Sequence, residues 1–392
     1  MKVVFVSNAL TPHQIPFCQA MYALLGEGFT FVQEEDRGDT FVSKGARVSL
    51  SDYPFVKKGY EEREVCLSLI GEADAAIIGF ASDDWMIKRL KNGKLTFRYL
   101  ERLYRDGLGW RRYLRARIGT YLHHGRFQSY PLYMLCASGY NAGDCARFRH
   151  YKEKTFKWGY FPLMRTYDPS TLMAQKTTEP VDILWAGRLL FFKRPLDGVA
   201  VIERLAKEGY SFRFHVVGSG EEEENSRKQV KDASLEKCVR FYGEKSTAEV
   251  RDLMEKAAIF LFTSDYREGW GAVLNEAMNS GCAVVASVAA GAVPFLIQDG
   301  VNGFVYPSGD RDALYHHIKT LLENPKQRYD MGLAAYNTIT SEWNGENAAK
   351  RLLELVRYLT VGEGDIPPSG PCSRAKPISQ DQMYLAVKRN EL

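Results

Sequence analysis

The chain has 392 residues, which at roughly 150 residues per domain is enough for two or three domains with sizeable cores. Hydrophobic residues at 45% and charged ones at 26% match a globular average, and 52 Lys plus Arg against 48 Asp plus Glu leave a net charge of +4, too slight an excess to call for a nucleic-acid partner. Seven scattered cysteines with no Cys-x-x-Cys pair suit a reducing cytosol, and neither a signal peptide nor an apolar run near the roughly 18 residues of a membrane span is evident.

In chain order, Val3-Val4-Phe5-Val6 reads as a buried strand, followed by a polar turn from Ser7 to Pro12 and an amphipathic stretch from about Gln14 to Leu25. That is the opening β-loop-α unit of a parallel sheet. Residues 75–80 and 132–137 read as further strands, and between them residues 87–126 carry helical propensity with a concentrated charge bias. Twelve Lys and Arg stand there against Glu101 and Asp106, a local net of +10. A polar stretch from Asp168 to Pro180 suits a hinge. A second alternating series follows, with strands at 182–186, 212–217, 239–242, 259–262, 283–286 and 303–305 and helices such as 194–207 and 247–256. The expected organisation is α/β: an N-terminal Rossmann-like domain over 1–167 and a C-terminal one over 168–345, facing across a cleft. Residues 346–360 form a helix that could return to the N-terminal domain, and 361–392, rich in Gly, Pro and Ser as far as Pro377, form a loosely ordered tail.

The stretch Ser264 to Met278 is the most informative. A strand ends, a turn holding Gly269 and Gly271 follows, and a helix begins near Ala272. Glycines let the backbone approach a ligand, and a helix N-terminus offers unpaired N–H groups and partial positive charge, so the pattern suits a diphosphate. Glu268 lies in the turn and Glu276 within the helix, where they could accept hydrogen bonds from opposite ends of one bound sugar nucleotide. A plain turn with two solvated glutamates has the same spacing. Leu184 to Leu189 ends another strand at Gly187, with Arg188 and, five residues on, Lys193 ahead of Pro195. Cations at the carboxyl end of a parallel strand stand where phosphate chemistry is placed in open α/β sheets, although both could be surface charges.

With Glu268 and Glu276 eight apart, Gly-Arg-Leu at 187–189 and Lys193 downstream, the sequence resembles the family-4 retaining glycosyltransferases of the GT-B fold, known also as glycosyltransferase group 1. Val216 to Gly220, Val239 to Gly243, Glu276-Ala277-Met278 and Asp299 to Phe304 follow in that family's order, a likeness close over 182 to about 310 and only outlined elsewhere. The resemblance implies transfer of a sugar from a nucleotide-diphosphate donor to a hydroxyl acceptor without metal or cofactor. In it Arg188 and Lys193 hold the diphosphate, Gly187, Gly269, Trp270 and Gly271 line it, Glu268 binds the transferred sugar, Glu276 the ribose, and the loop from Gly243 flanks the base. A lipid-linked glycan in bacterial surface polysaccharide assembly is the acceptor it suggests.

The first βα loop departs from the family pattern, lacking its glycine pair, so His13 could touch diphosphate or acceptor, or only cap the loop. Arg98 sits where acceptor-side residues are expected, in a stretch with Glu101 and Arg102 that reads more readily as an ion-paired surface. His123-His124 finds no metal partner. Asp310-Arg311-Asp312 opens a helix and reads as a cap, and Gly218-Ser219-Gly220, followed by four glutamates, is an incomplete nicotinamide fingerprint. The basic segment, with Phe97, Tyr99, Tyr104, Trp110, Tyr113 and Tyr121, could rest on an anionic membrane surface on the cytoplasmic side, or be a solvated face. A non-catalytic sugar-nucleotide-binding protein and a sugar-nucleotide epimerase remain alternatives.

Overall fold

The computed structural model describes residues 1–43, 46–104 and 110–392, with the Trp110 side chain excepted. The chain divides into two units, one of residues 1–163 and 343–379 and the other of residues 164–342 and 380–392.

The first unit holds β1 (Val3–Ser7), β2 (Phe29–Gln33), β3 (Thr40–Ser43), β4 (Ala46–Ser49), β5 (Val56–Lys58), β6 (Ala75–Ile78), β7 (Thr96–Leu100), β8 (Leu132–Cys136) and β9 (Thr155–Lys157). β3 and β4 form an antiparallel hairpin; the other seven make a parallel sheet in the order β5-β2-β1-β6-β7-β8-β9. Strands such as β1 and β6 are apolar and buried at nearly every position, as strands covered on both faces must be. Residues 87–126, expected to be helical, contain β7 between the helices Asp84–Lys91 and Trp110–His123. Thr-Phe-Arg-Tyr-Leu alternates, and tertiary burial overrides the helical bias of its charged flanks.

The helix Gly345–Val361 belongs to this first unit, where its first residue abuts the main chain of Pro16 and Phe17. The tail is ordered, contrary to expectation. Residues 372–375 pair along the free edge of β9, with the Cys372 amide donating to the Lys157 carbonyl at 2.8 Å and the Lys157 amide to the Ser373 carbonyl at 2.7 Å. The chain then ends in the helix Gln380–Lys388, where Lys388 pairs with Asp299 of the second unit at 2.6 Å. Gly, Pro and Ser here shape a tight path over a surface rather than disorder.

The second unit is a six-stranded parallel sheet of β10 (Val181–Ala186), β11 (Phe212–Val217), β12 (Val239–Phe241), β13 (Ile259–Phe262), β14 (Ala283–Ser287) and β15 (Phe304–Tyr306). Its order is β12-β11-β10-β13-β14-β15. The strand order therefore reverses between β10 and β13, and it is outside the carboxyl ends of the strands at such a switch point that ligands of these folds bind. Ile183, Trp185, Phe214, Val216, Leu261 and Val285 share one apolar core with the helices Pro195–Lys207 and Arg311–Glu323.

Candidate functional site

Of the expected site residues of the second unit, Gly187, Arg188, Lys193 and Glu268 lie at this switch point, whereas Gly243 follows the outer strand β12. Gly187 and Arg188 leave the end of β10, and Thr263, Ser264 and Asp265 leave the end of its neighbour β13. A single turn of 3₁₀ helix, Phe191–Lys193, is clamped to the β13 side: the Asp265 amide donates to the Phe192 carbonyl at 2.8 Å, and the Thr263 hydroxyl to the Lys193 carbonyl at 2.6 Å. The Trp185 indole N–H donates to the same Thr263 oxygen at 2.9 Å, so the core fixes the turn that carries the lysine.

Lys193 is ion-paired with Glu268, and the Ser264 hydroxyl donates to the same carboxylate oxygen at 3.1 Å. Arg188 is exposed and forms no ion pair among the described residues. Gly271 precedes the helix Ala272–Asn279 at φ +92, and a Cβ there would run into the Phe262 ring. Both facts require glycine. Trp270 is buried, its indole N–H donating to Asn275 at 2.9 Å, so its side chain anchors the turn and only its main chain could meet a ligand.

Close backbone packing aligns the neighbouring strand ends. The Gly187 amide donates to the Val217 carbonyl at 3.0 Å and the Gly218 amide to the Gly243 carbonyl at 2.8 Å. A Cβ on Gly218 would strike the Gly187 carbonyl oxygen, which gives the Gly-Ser-Gly segment a packing role.

Glu276 is half-buried and, among the described residues, has no hydrogen-bond or ion-pair partner for its carboxylate. Burial pushes its carboxyl up to about 7, against the opposing charges of Arg251 and Arg165. Arg251 is buried and donates to Asn279 at 2.6 Å and Ser280 at 3.2 Å, while Arg165 pairs with Glu255 at 2.5 Å and Asp252 at 2.9 Å. Sequence reasoning passed over both arginines. Arg251 lies on the inward stripe of the helix Thr247–Lys256 with Met254, and a cation on an apolar stripe was the available signal.

In the first unit, His13 follows β1 and stacks on Tyr160 with ring centroids 5.6 Å apart, and its carbonyl accepts from the Phe161 amide at 3.0 Å. Arg98 lies on β7, not on a helix, and is buried in an ion pair with Asp83, whose other oxygen meets His123 at 2.7 Å. That places Arg98 in the interior of its sheet. Arg102 pairs with Asp144 at 2.9 Å, and His124 is buried against the Tyr151 hydroxyl at 2.9 Å. Asp310 caps the helix Arg311–Glu323, accepting from the Ala313 amide at 2.9 Å. Among the described residues no group of three or more His, Cys, Asp or Glu side chains is disposed to hold a metal.

These features can be set beside known proteins. Residues 173–338 match the family model of glycosyl transferases group 1. The amylovoran biosynthesis glycosyltransferase AmsK of Erwinia amylovora is 30% identical over 186 residues, 46% of this chain and 46% of that one. The putative colanic acid biosynthesis glycosyltransferase WcaL of Escherichia coli (strain K12) is 29% identical over 160 residues, 40% and 39% of the two chains. The chain thus spans less than half the length of these curated relatives. Among solved structures, Anabaena Alr3699/HepE in complex with UDP superposes with a TM-score of 0.65 at 16% identity, covering 90% of this chain and 99% of that one. Sucrose-phosphate synthase from Thermosynechococcus elongatus gives 0.63 at 18%, covering 93% and 100%. The fold is the two-domain α/β fold of the GT-B glycosyltransferases, and the stretch from 173 to 338 is similar to the glycosyl transferases group 1 family.

Proposed function

We propose that the protein is a retaining, metal-independent glycosyltransferase of family 4, acting in the cytoplasm on a nucleotide-diphosphate sugar and a lipid-linked glycan in bacterial surface polysaccharide assembly. The observation that supports this reading is the Lys193–Glu268 ion pair at the switch point between β10 and β13, with Arg188 directly following β10. Two cations with the N-terminus of the helix Ala272–Asn279 suit a departing diphosphate and stabilise the charge that builds on it. Glu268, already held by Lys193 and Ser264, is preorganised to accept from hydroxyls of the transferred sugar. The unpartnered carboxylate of Glu276 suits the ribose hydroxyls, and the glycines at 187 and 269 suit the donor's diphosphate and that at 243 its base.

In the reaction envisaged, the bond between the sugar's anomeric carbon and the diphosphate oxygen breaks while the acceptor oxygen bonds to that carbon from the same face. The acceptor's proton passes to a diphosphate oxygen, so no protein base is required. The polysaccharide setting rests on the names of the relatives, and uridine is the base to try first because UDP is bound in the Anabaena protein.

The test is a thermal-shift screen of nucleotide sugars, followed by NMR of the product's anomeric configuration. A donor at about 100 times its Kd should add roughly 2.7 kcal/mol of stability. Inverted product would overturn the retaining assignment. Donor binding with no transfer to any lipid-linked acceptor would favour a binding protein, and a changed sugar stereocentre without acceptor would favour an epimerase. Lys193→Ala should lower both donor affinity and rate, and Glu268→Ala should abolish transfer with little change in folding.

A further inference from the structure

The helix Trp110–His123 of the first unit turns one face inward. There Tyr113 stacks on Phe148 with centroids 5.4 Å apart, the Ala116 carbonyl accepts from the Tyr104 hydroxyl at 3.2 Å, and Thr120 is buried. On the opposite face Leu114, Ile118, Tyr121 and Leu122 are 53%, 65%, 57% and 47% exposed. At 100° per residue these four positions span one arc of about 100° on the helix. Arg115 borders that arc on one side and Arg117 on the other, while Arg111 falls within it in the helix's first turn; all three are exposed. No Asp or Glu occurs between residues 110 and 126, where Arg112 and Arg126 bring the arginine count to five.

This is narrower than the surface expected from composition. Arg89, Arg98 and Arg102 of the basic segment are buried or paired inside the unit, and Phe97 and Tyr99 lie in its core. Arg105 and Asp106 fall outside the described residues, as does the side chain of Trp110. Lys88, Lys91 and Lys94 are exposed as well, but on and just after the helix Asp84–Lys91; on the helix Trp110–His123 the outward face is a stripe of branched aliphatic residues and one tyrosine among arginines.

We propose that this helix face docks on an anionic lipid bilayer, lying in the interface with the four apolar side chains among the acyl chains and the arginines at the lipid phosphates. Charge decides the occupant. A second copy pairing through the same face would set arginines against arginines with no carboxylate on the helix to offset them. Anionic headgroups neutralise the guanidiniums and take up the apolar stripe together, and Tyr121 suits the boundary between them. No helix of the described residues is long and apolar enough to cross a membrane, so the contact is with one leaflet. The proposal stands independently of the transfer reaction.

Co-sedimentation of the full chain with vesicles tests it. Binding is expected to mixed phosphatidylcholine–phosphatidylglycerol vesicles and not to phosphatidylcholine alone, weakening as salt is raised. Ile118→Glu/Leu122→Glu and, separately, Arg111→Gln/Arg115→Gln/Arg117→Gln should each weaken it about tenfold or more. All five positions are exposed, so melting temperatures should stay at the wild-type value. Equal binding to both vesicle types, or either variant binding like wild type, overturns the proposal. So does a dimer in sedimentation velocity that Ile118→Glu/Leu122→Glu dissolves, because the face would then be covered by a second copy.

Discussion

At the scale of single residues, Glu276 ties the proposed site to pH. Its carboxyl is raised from the ordinary 4.5 to about 7, so the native state holds this proton more tightly than the unfolded chain. The stability this contributes is fully present below about pH 4.5 and is lost as pH rises through about 7. Urea unfolding at both ends of that window should show Glu276→Gln gaining roughly 1–3 kcal/mol relative to wild type at the upper end. Hydroxyls donating to the ionised carboxylate would pull its pKa back down, so nucleotide binding near pH 6 should release a proton. Calorimetry in buffers of different ionisation enthalpy reads that release directly. Gly271 offers a second test: with positive φ and the Phe262 ring in the way, Gly271→Ala should cost about 2 kcal/mol or more in a denaturant melt.

At the scale of elements, two buried arginines hold helix ends. Arg251 donates to Asn279 and Ser280 at the C-terminal end of the helix that bears Glu276. Arg251→Met should therefore destabilise by about 3 kcal/mol and raise the Glu276 pKa further, both measurable in the same unfolding series. Arg89 donates to the carbonyls of Ile70 at 2.5 Å and Ala73 at 2.7 Å, closing the helix Arg63–Glu72, and burial lowers its pKa to about 10. The strands of the second unit were legible because a covered parallel strand leaves an uninterrupted apolar run, and the turn around Glu268 because its glycines have no other reason to stand there. β7 was not. The ion pair that lets Arg98 enter a sheet comes from Asp83, fifteen residues away, and a local reading cannot supply a partner at that distance. The arginines facing Glu276 escaped for the same reason: only the fold brings positions 165, 251 and 276 together.

For the whole molecule, a net charge of +4 conceals its arrangement, since several of the chain's arginines serve as interior struts and the helix Trp110–His123 keeps its own outside. The thiols show a similar sorting: six of the seven cysteines are buried and Cys238 is half-buried. Ellman's reagent should find about one fast-reacting thiol in the native protein and all seven after denaturation. The final residues bear on handling. β9 is an outer strand, and the stretch around Cys372 and Ser373 occupies hydrogen-bonding groups that would otherwise face water. Ending the chain after Val361 would uncover that ribbon, a ready template for strand exchange between molecules. A shortened protein is expected to elute as soluble aggregates in gel filtration, and affinity handles are better placed at the other terminus.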